Sequence, residues 1–192
     1  IAGSVKSLSN EFGVAFGEAI KISESSMDTA RALGIGTEQA ATLTGMLMTM
    51  GGHSATTAQN FLKQTAALAK SAGVAPAIIM EDIAGSSEQI ALFTKDGGQN
   101  IAQAAVKARS MGLALNDVAT AAESLLDFES SLTKEMEASV LIGRQLNLQR
   151  ARELSLTGDL EGLQSELLKQ VGTEADFNSM NLIQRKALAD AV

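Results

Sequence analysis

Apolar residues along this chain recur at three- and four-residue intervals and almost never alternate, which is the period of α-helices rather than strands. Glycines fall where the apolar runs stop, and Pro76 is the only proline. In "TEQAATLTGMLMTMGG", Thr37 is placed to cap a helix, Glu38 suits the positive end of its dipole, and Gly51 and Gly52 release the chain. "SATTAQNFLKQTAALAKSAG" repeats this grammar, with Ser54 as cap, Phe61, Leu62 and Leu68 on the apolar face, and Gly73 as stop. Pro76 fits the first turn of the next helix, where its missing N–H costs little.

The longest uninterrupted pattern runs from a cap at Asn116 to Gly143. Val118, Ala121, Leu125, Phe128, Leu132, Met136 and Val140 follow helical steps, predicting one amphipathic helix over 117–142 of about seven turns. Shorter helices are expected near 147–157, 160–171 and 182–191, with Asp159, Thr173 and Asn181 as caps. The fold class is therefore all-α: an array of short capped helices around one longer amphipathic helix, with no sheet. The pattern divides into an Ala/Gly-rich short-helix region over 1–112 and a helical module over 113–192. Gly13, Gly17, Gly45, Gly143 and Gly162 each weaken a helix by about 1 kcal/mol relative to alanine, which argues against a continuous rod.

"RALGIGTEQA", "KSAGVAPAII" and "RSMGLALNDV" begin at Arg31, Lys70 and Arg109, 39 residues apart each time. Each places a basic residue three before a glycine and an aliphatic residue straight after it. That is the chemistry of a helix C-terminus: a cation for the carbonyl end, a left-handed glycine, and an apolar residue folded back on the last turn. A period near 40 is compatible with a helical-pair repeat. Unrelated helix stops that look alike account for two intervals equally well.

Composition narrows the chemistry. With no Cys, neither disulfides nor thiolate metal sites are available. His53 is the only imidazole, and neither a His-based metal site nor a Ser-His-Asp triad assembles convincingly around it within one chain, which leaves open only a site shared across an oligomer. A formal charge of -7 argues against direct nucleic-acid binding, and six Phe without Trp or Tyr make a poor base-stacking platform. No apolar run reaches the roughly 18–20 residues of a membrane span. The chain opens at Ile1 and closes at Val192 in mid-pattern, which predicts an ordered piece of a longer protein.

Motifs that could carry catalysis or cofactors do not assemble. "GIG" at Gly34–Gly36 lacks the third glycine and the preceding strand of a dinucleotide loop, and "KDGGQN" reads as a turn before a helix starting near Ile101. His53, with no carboxylate partner nearby in sequence, reads as a solvated loop residue. Glu129, Glu135 and Glu137 could suggest a glycosidase pair, but their spacing with Lys134 is that of a solvated helix face. The expectation is no catalytic residue, no metal and no cofactor. Arg144, Arg150 and Arg152 lie within nine residues and are nearly balanced by Glu135, Glu137 and Glu153. They are expected to pair with carboxylates on neighbouring helices, where the planar guanidinium fork is favoured. Together with Leu125, Phe128, Leu132, Met136 and Val140, they form the candidate protein-interaction surface.

From Leu113 onward, "LLDFESSLTKEMEASVLIGRQLNLQRARELSLTGDLEG", "LLKQVGTEADFNSMN" and "MNLIQRKALADAV" resemble a segment of the tail tape measure and related virion structural proteins of marine tailed bacteriophages. The region before it is similar in style only. The resemblance implies a largely helical, non-enzymatic protein that sits in the tail lumen of the virion, sets tail length and leaves ahead of the genome. The partners it implies are further copies of the chain, giving a homo-oligomer, and tail tube or baseplate proteins. Two other readings stay open on the residues: a helical adaptor or chaperone of an injection apparatus, and a virion-associated cell-wall hydrolase module.

Overall fold

A computed structural model describes residues 2–86 and 91–192. Among the described residues the chain is all-α, with no strand. It divides into two compact units, Ile1–Asn116 and Asp117–Val192. The first contains α1 (Ala2–Glu11), α2 (Phe16–Leu33), α3 (Thr37–Gly51), α4 (Ala55–Ser71), α5 (Pro76–Gly85), a 3-10 turn (Asp96–Gly98) and α6 (Gln99–Ser110). Helix α7 (Leu115–Leu126) carries the unit boundary near its start. The second unit continues with α8 (Phe128–Ile142), α9 (Gln149–Leu156), α10 (Leu160–Val171), α11 (Glu174–Ser179) and α12 (Leu182–Ala191).

The 39-residue spacing marks a structural repeat. Gly34, Gly73 and Gly112 are all left-handed, with φ of 73°, 73° and 79°. The residue after each donates its N–H back five residues into the helix: Ile35 to Ala30, Val74 to Ala69 and Leu113 to Ala108, at 3.1, 2.9 and 2.9 Å. Helices α3, α5 and α7 start at Thr37, Pro76 and Leu115, again one period apart. Burial follows the same register. Ile22, Phe61 and Asn100 are buried, as are the triplets Ala30/Ala69/Ala108, Ala40/Ile79/Val118 and Thr44/Ile83/Ala122. Look-alike helix stops do not explain periodic burial in the helices on either side of them.

The register reaches α1 as well. Val5 is one period before Thr44 and Leu8 one before Leu47, and all four are buried. The turn that follows also matches: Gly13 and Gly52 are both left-handed, and Val14 and His53 each donate to a carbonyl six residues back. Consecutive hairpins stack as this register requires. Helix α2 packs on α3 and α4, α4 on α5 and α6, and α3 on α1 and α5. Val5, Leu8, Ala19, Ile22 and Ala41 form one core cluster, with Phe12 packed against it. Gly45 makes this possible. A Cβ at Gly45 would lie 2.5 Å from a ring carbon of Phe12, so the α3 backbone approaches the ring directly.

Among the polar residues that interrupt the register are Ser23, Asp82 and Asn100. Ser23 occupies the position of Leu62 and Ile101, fully buried, and its hydroxyl has no hydrogen-bond partner among the described residues. Ser23→Ala is therefore expected to raise the urea midpoint and stabilise the unit by about 1 kcal/mol, since it removes an unsatisfied hydroxyl and improves helix propensity. A lower midpoint would show that the hydroxyl is satisfied. Asp82 sits one period after Leu43 and is held by a two-pronged ion pair from Arg109. Asn100 follows Ile22 and Phe61 in register. Its side chain accepts from Lys95 N–H at 3.0 Å and donates to the Phe93 carbonyl at 2.7 Å.

Caps at Ser54, Asp159, Thr173 and Asn181 form as expected, each accepting from the N–H three residues on. Pro76 opens α5 and Gly143 closes α8. Four expectations need correction. Gly36, not Thr37, is the N-cap of α3, because Thr37 already has helical geometry. Asn116 lies inside α7 rather than capping it. His53 is not simply solvated. Its Nε2 is 2.6 Å from the Gly97 carbonyl and its ring stacks on Phe61, pinning the α3–α4 loop to the 3-10 turn.

The fourth correction is the largest. No single helix spans 117–142. The chain breaks at Asp127, whose ψ of 83° leaves the helical region and whose carboxylate accepts from Ser130 N–H at 3.3 Å. Asp117 and Lys134 line one pocket of about 300 Å³. In a straight helix they would stand about 25 Å apart at 1.5 Å per residue.

Candidate interaction surface

The break at Asp127 splits the predicted apolar face in two. On α7, Val118 and Leu125 are buried. On α8 the continuation is exposed: Phe128 by 48%, Leu132 by 49%, Met136 by 64% and Val140 by 81%. These four repeat every fourth residue, so they form one row about 18 Å long on a single face. Helix α8 instead turns Ser131 and Ala138 inward and packs on α12, where Gln184 donates to the Leu141 carbonyl at 3.0 Å. Leu125, grouped with the row by periodicity, is a core residue.

A groove of about 460 Å³ lies beside the row, with Phe128 and Leu132 of α8 on one side and Leu156 of α9 on the other. Leu156 is exposed as well. The groove also reaches Glu135 and Arg152, which form a buried ion pair. Both terminal nitrogens of Arg152 donate to the same Glu135 oxygen, and one also reaches the Ser131 hydroxyl at 3.3 Å. Glu135 is therefore not part of a solvated face, unlike the exposed Glu129 and Glu137.

The three arginines have three different roles. Arg152 pairs with a carboxylate on a neighbouring helix, as its fork geometry favours. Arg150 makes an exposed pair with Glu153 one turn away on α9. Such pairs contribute a few tenths of a kcal/mol. Arg144 donates to the carbonyls of Gln170 and Val171 at the end of α10, supplying the positive charge that a helix C-terminus favours. Arg150 is the most solvent-exposed of the three.

Two carboxylates titrate below their usual range. Glu166 is lowered chiefly by a hydrogen bond from Gln170, then by one from Lys169. Asp176 is lowered by hydrogen bonds from the Thr173 hydroxyl and then its N–H. Both belong to helix-stabilising contacts rather than to a reactive pair. Among the described residues, no group of three or more His, Asp or Glu side chains is placed to hold a metal ion, and no helix is long and apolar enough to cross a membrane.

Parts of the fold that sequence reasoning missed have identifiable signals. An acid at an apolar repeat position (Asp82) and a basic residue on a later helix (Arg109) mark a half-buried pair. The Thr-x-x-Asp and Asn-x-x-Gln spacings at Thr173 and Asn181 are those of capping boxes, which both form. The first of these marks α11, a helix absent from the sequence expectation. No family model, no curated protein sequence and no solved structure matches this chain.

Proposed function

We propose that the chain is a non-enzymatic structural segment of a phage tail, part of the tape measure protein that sets tail length and occupies the tail lumen until genome ejection. It works by association with further copies and with tail tube or baseplate proteins. The observation that supports an assembly role is the exposed row Phe128, Leu132, Met136 and Val140 on α8. Four large apolar side chains aligned on one helix face are the pattern of a helix–helix contact. The tail assignment itself is supported by the resemblance of the residues from Leu113 onward.

Light scattering tests the reading. The chain is expected to self-associate, and Leu132→Asp with Met136→Asp is expected to make it monomeric without changing its far-UV circular dichroism. A wild-type chain that stays monomeric and binds no tail component would overturn it. The adaptor or chaperone reading draws support from a different feature, the stacked 39-residue hairpins, because helical-pair repeats commonly serve as partner-binding scaffolds. A parent protein of many hundreds of residues with further Ala/Gly-rich helices favours the tape measure. A parent little longer than this chain favours the adaptor.

A further inference from the structure

We propose that the row on α8 and the groove beside it make a self-complementary contact between two parallel copies of the chain, each row seated in the other's groove. Such pairing rests on the assembly reading and gives the row one partner and one orientation. The row residues are four apart, so the residues one position after them lie on one flank and those one position before them on the other. The first flank carries the exposed Glu129, Thr133 and Glu137. The second carries Ser131, Glu135 and Ser139, and it faces α9 and the loop before it. Arg152 reaches Ser131 and Glu135, and the Leu146 N–H donates to the Ser139 hydroxyl at 3.0 Å. The row is therefore a ridge with an acidic flank on one side and the α9-walled groove on the other.

A ridge beside a groove is complementary to itself in one sense only. A two-fold axis parallel to α8 exchanges the flanks, so each ridge enters the other copy's groove. A two-fold axis across α8, which would make the helices antiparallel, keeps each flank on its own side. It would set ridge on ridge and bring Glu129 and Glu137 of both copies onto one edge, where like charges oppose association.

The register of charges selects the parallel arrangement too. Helix α9 runs back along α8: Leu146 is level with Ser139, Arg152 with Ser131 and Glu135, and Leu156 with Phe128 and Leu132. Parallel copies keep these levels. The acidic flank of the second copy then lies along the outer side of α9, where Arg150, Glu153 and Thr157 are exposed. Glu137 of the second copy falls beside Arg150, its Thr133 beside Glu153 and its Glu129 beside Thr157. Each carboxylate meets a donor and the hydroxyl of Thr133 meets an acceptor. The existing pair of Arg150 with Glu153 is exposed and uses one guanidinium nitrogen, leaving donors for a second carboxylate.

The chain has no Cys, so single introduced cysteines report the orientation. Phe128→Cys and Val140→Cys mark the two ends of the row, about 18 Å apart, and leave Leu132 and Met136 to hold the contact. With a bis-maleimide linker shorter than the row, each variant alone is expected to form a cross-linked dimer. Cross-linking only in an equal mixture of the two variants shows antiparallel copies, which overturns the proposal and leaves self-association intact. Arg150→Glu and Glu137→Arg are each expected to weaken dimerisation about tenfold, and the two together in one chain to restore it. Both positions are exposed, so unchanged far-UV circular dichroism verifies the fold. Charge reversals without effect overturn the proposal by placing the contact elsewhere. A wild-type chain that stays monomeric in light scattering overturns it together with the assembly reading.

Discussion

Replacing Arg152 with alanine is expected to destabilise the second unit by about 3 kcal/mol, measured by urea unfolding followed by circular dichroism. Arg152 is buried on α9, and its partner Glu135 on α8 is mostly so. Removing the guanidinium leaves a carboxylate with little access to water and strips the Ser131 hydroxyl of its contact. Breaking a buried pair from one side costs about 3–5 kcal/mol, and the residual exposure of Glu135 places this case at the lower end. Replacing both partners tells the origin of the loss. Arg152→Met with Glu135→Leu is expected to lie within about 1 kcal/mol of the wild type, because apolar side chains of similar volume suffer no stranded charge. If Arg152→Ala costs no more than an exposed pair, water reaches the site and the pair contributes little.

The second large effect is expected at Asn100, where the substitution that best fits the repeat should be harmful. Isoleucine is the residue one period before Phe61, so Asn100→Ile restores an apolar register. It also leaves the Phe93 carbonyl and the Lys95 N–H without the amide that now serves both. An orphaned carbonyl on the buried Phe93 costs about 1–3 kcal/mol and the turn at the exposed Lys95 loses a hydrogen bond, and the gain from burying an isoleucine offsets only part of this. A net destabilisation of about 2 kcal/mol is expected, together with faster hydrogen exchange at the Lys95 amide. Equal or greater stability of Asn100→Ile would mean that solvent satisfies the turn.

These two residues also show where the sequence was readable. Helix ends were legible because they are local. Ser54, Asp159, Thr173 and Asn181 need only an N–H three residues away, and all four find it. The repeat was visible in the Arg31, Lys70 and Arg109 motifs, but only periodic burial distinguishes it from similar helix stops.

The joint at Asp127 was not legible. Its flanking residues are helix-competent, no glycine or proline marks it, and the apolar period runs straight across. The bend is set by packing in the second unit, which burial of Leu125 and exposure of Phe128 record but periodicity does not. Glu135 was misread for the same reason. Spacing placed it beside Glu137, and only the three-dimensional approach of α9 distinguishes the two. For the candidate surface, the row on α8 was legible as a face. Which part of that face is covered was not.

The hairpin stack has a kinetic consequence. Among the described residues, most helix contacts of the first unit lie within a hairpin or between adjacent hairpins, so most of the loops that folding closes span about one period. Loop closure grows costlier with chain separation, and folds built from near-neighbour contacts are correspondingly fast. The same arrangement makes a hairpin at the end of the stack separable without dismantling the hairpins beyond its neighbour. Under an axial pull such a chain pays out in steps, one period of contour at a time, and recoils by the same steps when the load is released.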